Sequence, residues 1–107
     1  MPQPPALTPE QRLAALEKAA EARRVRADVK VQLKDERITL SQLFERAGGD
    51  EVLANLKVVS MLESMPNTGK VKARRLMRDL DISERRRVRG LGPNQRQKLL
   101  EHFGPNP

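Results

Sequence analysis

Met65-Pro-Asn-Thr-Gly-Lys-Val-Lys-Ala-Arg-Arg-Leu-Met77 and, 23 positions on, Arg89-Gly-Leu-Gly-Pro-Asn-Gln-Arg-Gln-Lys-Leu-Leu100 are two copies of one small motif. Aligned on Gly69 and Gly92, each runs through a turn, a glycine and polar or basic residues to an apolar pair, Leu76/Met77 and Leu99/Leu100. A tight turn ending in Gly leaves the first N–H groups of the following helix without partners, and such donors hold anions. For either turn alone, ordinary helix punctuation is the competing reading. Repetition among many cations favours a surface that reads a nucleic-acid backbone.

The charge is concentrated around these turns. Residues 1–60 hold ten Lys/Arg against nine Asp/Glu, so most of the net charge of +7 lies beyond them. Positions 66–98 carry eleven Lys/Arg and three Asp/Glu. Clustered positive charge displaces counterions from a polyanion and so supplies non-specific affinity. Lys70, Lys72 and Arg89 are best placed, where side chains and helix-opening N–H groups converge. Arg85-Arg86-Arg87 before Arg89 is the densest run, with Val88 and Leu91 expected to face inward and aim the arginines outward. Arginine is planar and weakly hydrated, which suits bidentate phosphate contact or a narrow minor groove.

Composition narrows the partners. The two aromatics, Phe44 and Phe103, sit in apolar helical patterns and are expected in the core, leaving no aromatic platform for unpaired bases. That points to duplex DNA or a folded RNA. There is no cysteine and a single histidine, His102, which excludes disulfides and thiolate zinc sites and fits a reducing cytoplasm. No cofactor or metal is expected. His102, near a helix end, is expected to partner terminal carbonyls. There is neither a membrane-length apolar run nor a signal peptide, and no helix with a bulky apolar face for lying on a membrane.

Working outward toward the N-terminus, the chain reads as all-α, with no convincing period-two segment. Residues 1–7 form a proline-rich tail. Thr8-Pro9-Glu10-Gln11 is a helix start with Thr8 as N-cap, Pro9 at N1 and Gln11 completing a capping box. No breaker follows before Arg37, so residues 8–37 read as one long helix. Leu13, Leu16, Ala20, Ala27 and Val31 share one stripe; Val25, Val29 and Leu33 form a second on the opposite side, in the C-terminal half only. That half can be gripped from two sides while the other stands clear of the core. Arg23, Arg26, Lys30, Lys34 and Arg37 follow one edge; Glu10, Glu17, Glu21, Asp28 and Asp35 follow the other. Like charges at i,i+4 cost roughly 0.2–0.5 kcal/mol each. The basic edge, above all Arg23, Arg26, Lys30 and Lys34, is therefore a candidate second nucleic-acid surface.

Residues 38–107 form the remaining compact bundle. Thr39 caps a short helix that Gly48-Gly49 closes, and Asp50 caps a turn over residues 51–56. Val58 to Met65 reads as helix, although the Val58-Val59 pair leaves a short strand open. A helix over residues 70–80 has Val71, Leu76 and Leu80 placed to pack. Ser83 caps a brief helical turn through Val88, and Pro93 starts the last helix, which ends at Gly104-Pro105.

The pattern Met-Pro-x-x-Gly-Lys-Val-Lys-Ala, then Arg-Arg-x-Arg-Gly-Leu-Gly-x-x-Gln-Arg-x-x-Leu-Leu-x-x-Phe-Gly, resembles the actinobacterial, mycobacterial-type integration host factors. The Leu-Thr-x-Glu-Gln-Arg start and Ala-Leu-Glu-Lys-Ala-Ala-x-Ala-Arg stretch of the long helix resemble theirs too. The likeness covers nearly the whole chain and is weakest in the tail and over Val31–Gly49. It implies a helix-two-turn-helix bundle behind a long helix, a fold shared with a small-subunit ribosomal protein and some DNA glycosylases. It also implies a monomeric, nucleoid-associated protein that binds duplex DNA with little sequence preference, organises the chromosome and assists phage integration. By motif match the DNA contacts fall on Gly69, Lys70 and Lys72 in the first turn and on Arg86, Arg87, Arg89, Gly90 and Gly92 around the second. Asn67 stands where related hairpins often carry Gly, a departure that Asn tolerates. The alternative is a structured-RNA or ribosome-associated binder. Catalysis is not expected: Pro2, the position of a glycosylase-type amine, sits in a tail with no β-domain, zinc finger or acid pocket beside it.

Overall fold

A computed structural model describes residues 6–104; most of the tail and the closing Pro105 lie outside the described residues. The expected N-cap is in place. Thr8 Oγ1 accepts from the Gln11 N–H at 3.1 Å, and Gln11 Oε1 accepts from the Thr8 N–H at 3.0 Å, opening α1 (Pro9–Lys34). At 26 residues α1 is about 39 Å long. Its N-terminal half stands clear, and the radius of gyration, 16.4 Å, accordingly exceeds the roughly 13 Å of a compact domain of about 100 residues.

α1 stops three residues before the expected end. Glu36 takes a left-handed backbone (φ 59°), its N–H donates to the Leu33 carbonyl at 3.1 Å, and the Arg37 N–H donates to the Gln32 carbonyl at 2.9 Å. This is a Schellman closure with a glutamate where glycine is usual, so no breaker marks it. Only the stripe of Val25, Val29 and Leu33 meets the bundle. Of the other, Leu13 is exposed to 58%, Leu16 to 60% and Val31 to 50%, so even the C-terminal half is gripped from one side.

α2 (Leu40–Ala47) opens with a second capping box between Thr39 and Gln42 and ends at Gly48, as expected. α3 (Glu51–Ala54), capped by the Asp50 carboxylate, ends two residues short of Leu56. α4 (Val58–Glu63) is the expected helix, although the chain leaves it before Met65. The strand alternative survives as a single β-bridge, Lys57 with Arg87, flanked by Val58 N–H to Arg86 carbonyl (3.0 Å) and Val88 N–H to Leu56 carbonyl (2.9 Å). Among the described residues there is no strand.

α5 (Gly69–Asp79) closes as α1 does, with Asp81 left-handed (φ 57°) and the Ile82 N–H on the Met77 carbonyl at 2.7 Å. Its buried face is Ala73 and Met77, with Leu76 and Leu80 half-buried; Val71 is exposed to 72%, against the expectation that it packs. Phase decides this: Ala73 and Met77 lie four apart on the face toward α4, and Val71 is turned away. The expected helical turn after Ser83 is shortened to one hydrogen-bonded turn, with the Arg86 N–H on the Ser83 carbonyl at 2.9 Å, and does not reach Val88. Ser83 Oγ accepts from the Arg85 N–H, but Arg87 is extended, held by its bridge to Lys57, and a 3-10 turn follows at Val88–Gly90.

α6 (Pro93–Phe103) completes the bundle. The core joins Val29 and Leu33 of α1 to Leu40, Leu43 and Phe44 of α2, Leu53, Val58, Met61 and Leu62, Ala73 and Met77, Val88 and Leu91, and Leu99 of α6. α4 packs on α5, and α3 lies between α1 and the 3-10 turn. Arg96 of α6 places its guanidinium carbon 5.4 Å from the Phe44 ring centroid, a cation–π contact that ties α6 to α2. Phe44 is buried and Phe103 half-buried. His102 is exposed and meets Phe103 edge-on, centroids 4.8 Å apart, so an aromatic ring takes the place expected for terminal carbonyls.

Candidate nucleic-acid interface

The helix starts fall into two kinds. α1, α2 and α3 open on side chains that accept from their own first N–H groups: Thr8, Thr39 and Asp50. α4, α5 and α6 do not: Lys57, Thr68 and Gly92 make no side-chain cap bond, and of these three starts those of α5 and α6 follow the glycine turns and lie among the basic residues. Thr68 makes no cap bond and turns its hydroxyl to the Pro66 carbonyl at 3.2 Å. Gly92 has no side chain to offer, and its own N–H is taken by Gln95 Oε1 at 3.0 Å. Helix-opening donors left without an internal acceptor are available to an external anion.

The first turn is shaped by two left-handed residues, Asn67 (φ 59°) and Gly69 (φ 68°). Lys70 and Lys72 are exposed, and Lys72 Nζ donates back to the Asn67 carbonyl at 3.3 Å, so its charge lies over the turn. The second turn differs in backbone although its sequence matches. Gly92 is extended (φ −75°, ψ 162°), so its glycine answers no left-handed requirement. Gly90 is the crowded position: an added Cβ would lie 2.9 Å from Arg86 Cδ.

The three expected arginines of the second turn have unequal roles. Arg86 is half-buried, and its guanidinium donates to the Gly90 carbonyl at 2.7 Å. Arg87 reaches the Asn55 carbonyl at 2.6 Å. Arg89 is the freest, exposed and 3.9 Å from the Glu51 carboxylate, itself almost fully exposed. Pairs that exposed contribute little and yield readily to a competing anion. Arg86 and Arg87 therefore shape the turn with part of each guanidinium and present the remaining N–H donors outward.

α6 connects the two turns. Gln95, in its first turn, accepts from Gly92 and donates to the Asp81 carbonyl at 3.1 Å. At its other end His102 and Phe103 share a groove of about 410 Å³ with Pro66, Asn67, Thr68, Lys72 and Arg75. The two turns thus lie toward opposite ends of α6, a helix of 11 residues and about 16 Å.

One residue that sequence reasoning missed braces the arrangement. Arg74 pairs with Glu63 at 2.8 Å and Glu84 at 3.1 Å and also reaches the Lys70 carbonyl at 3.3 Å. It ties the end of α4, the start of α5 and the approach to the second turn together. Its hydrogen bond to Glu63 is the main cause of a guanidinium pKa raised above its ordinary value, followed by burial, which opposes it, and the bond to Glu84. Nothing in the sequence separates Arg74 from its ten basic neighbours. On α1, Arg23 and Lys34 are exposed and Arg26 and Lys30 half-buried; among the described residues none of the four is in an ion pair.

Comparison with known proteins agrees with this architecture. The S13-like H2TH domain family matches residues 33–103. The integration host factor of Mycobacterium tuberculosis (strain ATCC 25618 / H37Rv) is 54% identical over 100 residues, 94% of this chain and 95% of that protein. The integration host factor of Streptomyces coelicolor is 52% identical over 100 residues, 94% of each chain. The solved structure of sIHF bound to an 8bp palindromic DNA superimposes with a TM-score of 0.80 at 48% identity, covering 82% of this chain and 99% of that one. With a capped long helix, a bundle built around two glycine turns and near full-length identity above 50%, this chain belongs to the integration host factor family.

Proposed function

We propose that this protein is a nucleoid-associated architectural protein that binds duplex DNA largely without sequence preference, bends or compacts it and assists phage integration. The observation that carries the reading is the pairing of two uncapped helix starts with unpaired or weakly paired cations, one start opening α6 and the other lying by its far end. Gly69, Lys70 and Lys72 at one end and Arg86, Arg87, Arg89, Gly90 and Gly92 at the other form the DNA surface in this proposal. The relative solved with an 8bp palindromic DNA supports it. Residues 38–107 act as the DNA-binding domain and residues 8–37 as an appended helix whose edge, Arg23, Arg26, Lys30 and Lys34, offers a second contact. Phosphate contact predominates, so sequence enters through shape and deformability. The protein performs no catalysis and works in the cytoplasm, on the nucleoid.

Affinity for a generic duplex across a salt series tests this. Four to six phosphate contacts give a log–log slope of about −4 to −5. Changing Arg86, Arg87 and Arg89 to alanine shrinks the slope by about two or three units if the turns are the surface. An unchanged slope in a folded variant moves the site to α1. Duplex RNA competing as well as duplex DNA returns the structured-RNA reading.

A further inference from the structure

We propose that the exposed apolar stripe of α1 pairs with the same stripe of a second copy of this chain, side by side and parallel, when two copies occupy one duplex. Four of the five most exposed large apolar side chains among the described residues lie on this helix or its lead-in: Leu7, Leu13, Leu16 and Val31. At about 100° per residue, Leu13, Leu16, Ala20, Ala27 and Val31 fall within about 60° of one another. The stripe faces away from Val29 and Leu33, which hold the bundle, so a partner can cover it without displacing anything. It runs about 27 Å along the helix, with Ala20 and Ala27 allowing close approach.

Charge selects both the partner and its direction. Glu10, Glu17, Glu21 and Asp28 flank the stripe on one side, where Arg24 sits among them paired to Glu21, so that three of the four acids remain uncompensated; Arg23, Lys30 and Lys34 flank it on the other. Two such helices related by a two-fold axis along their length place the acidic flank of each against the basic flank of its partner. Antiparallel pairing sets acid against acid and base against base. The surface is therefore complementary to a parallel copy of itself, as flanking charges specify partners in coiled coils. Arg26 lies further round the helix, so where two copies pair, Arg23, Lys30 and Lys34 face the partner and the second DNA contact proposed for α1 is carried by Arg26 alone. Parallel pairing also leaves both bundles at one end and on the outer sides of the helix pair.

The stripe offers a few large side chains, short of the roughly 800 Å² per partner of a stable interface. Pairing is thus weak between free copies and becomes populated when a duplex raises their effective concentration. The inference rests on the DNA-binding reading only for what gathers the copies.

Because the chain has no cysteine, orientation can be read by cross-linking. A Leu13→Cys variant is oxidised with and without a duplex of about 40 base pairs, long enough for several copies. Binding of wild type and a Leu13→Glu/Leu16→Glu variant is compared on that duplex and on one of about 10 base pairs, a single helical turn. The expected result is a cross-linked dimer on the long duplex, and a second wild-type copy binding about tenfold tighter than the first. The glutamate variant loses that enhancement and keeps its affinity for the short duplex. No cross-link with unchanged enhancement overturns the proposal. So does a cross-link only between mixed Leu13→Cys and Val31→Cys copies, which signifies an antiparallel pair. Failure to bind either duplex in the wild type instead sinks the DNA-binding reading.

Discussion

Arg86 and Gly90 fit against each other: the Arg86 guanidinium donates to the Gly90 carbonyl at 2.7 Å, and only a residue without a Cβ leaves room for Arg86 Cδ. Gly90→Ala forces the arginine off this path and costs about 1 kcal/mol through the lost hydrogen bond. With Arg86 in the proposed DNA surface, duplex affinity is expected to fall as well. In a double-mutant cycle with Arg86→Ala the two losses are not additive. Thermal melts and duplex titrations of the three variants check this; strictly additive losses would show that the two residues act independently.

Gly69 is constrained by its backbone alone. Its φ is +68°, and an added Cβ would meet nothing within 4 Å. Gly69→Ala therefore costs about 1–2 kcal/mol of conformational strain, while Gly69→Asn recovers part of it. At Asn67, also left-handed, Gly is tolerated and Ala is not. Denaturant midpoints for the four variants read the order directly.

The two Schellman closures carry acidic residues at their left-handed positions, Glu36 and Asp81. Relief of strain outweighs the added freedom of the unfolded chain, so Glu36→Gly stabilises the protein by about 0.5–1 kcal/mol. Asp81→Gly does the same and lies beside the Gln95 bond, where a gain in melting temperature without a change in salt slope is expected. A lower melting temperature for either variant would refute the assigned geometry.

The brace at Arg74 acts on stability without adding pH dependence in the physiological range. Its pKa is raised in the folded protein. A raised pKa means the contribution is fully present below the unfolded value and is lost only as pH climbs through the folded one. Both lie far into alkali, so the difference in denaturant midpoint between wild type and Arg74→Gln stays constant from pH 7 to 9. A difference that shrinks over that window would point to another titrating group in the brace.

Equivalent capping boxes have unequal consequences. Thr39→Ala removes the cap of a helix whose Leu40, Leu43 and Phe44 are in the core and costs about 1 kcal/mol of global stability. Thr8→Ala removes the same bonds from a stretch that contacts no core, so it speeds amide exchange in the first turns of α1 and leaves the global midpoint in place.

Where local chemistry set the structure, the sequence was readable. Thr8, Thr39 and Asp50 located three helix starts, and Gly48 an end, because each cap is made within four residues. The end of α1 was not readable, since Glu36 occupies a position that normally announces itself as glycine. Val71 was expected to pack alongside Leu76 and Leu80; the smaller Ala73 holds the buried phase instead. Around the candidate site, the glycines and basic residues were legible as a repeated motif, including the left-handed tolerance of Asn67. The extended path of Arg87 was not, because its partner Lys57 lies thirty residues earlier. Nor were the Asn55 and Gly90 carbonyls that occupy parts of Arg87 and Arg86. Backbone acceptors carry no sequence signature, so the division of these arginines between shaping the turn and reaching outward emerges only in three dimensions.

The pair of backbone bonds joining Leu56 and Val58 to Val88 and Arg86 makes a clasp. It fastens the chain into a ring that holds α4, the first turn, α5 and the approach to the second. In the proposed DNA complex, load applied at the first turn is passed around this ring rather than along a free end, and reaches the second turn through its Arg86–Val88 side. The two proposed grips are therefore tied to one closed frame, so a displacement of either turn is felt by the other.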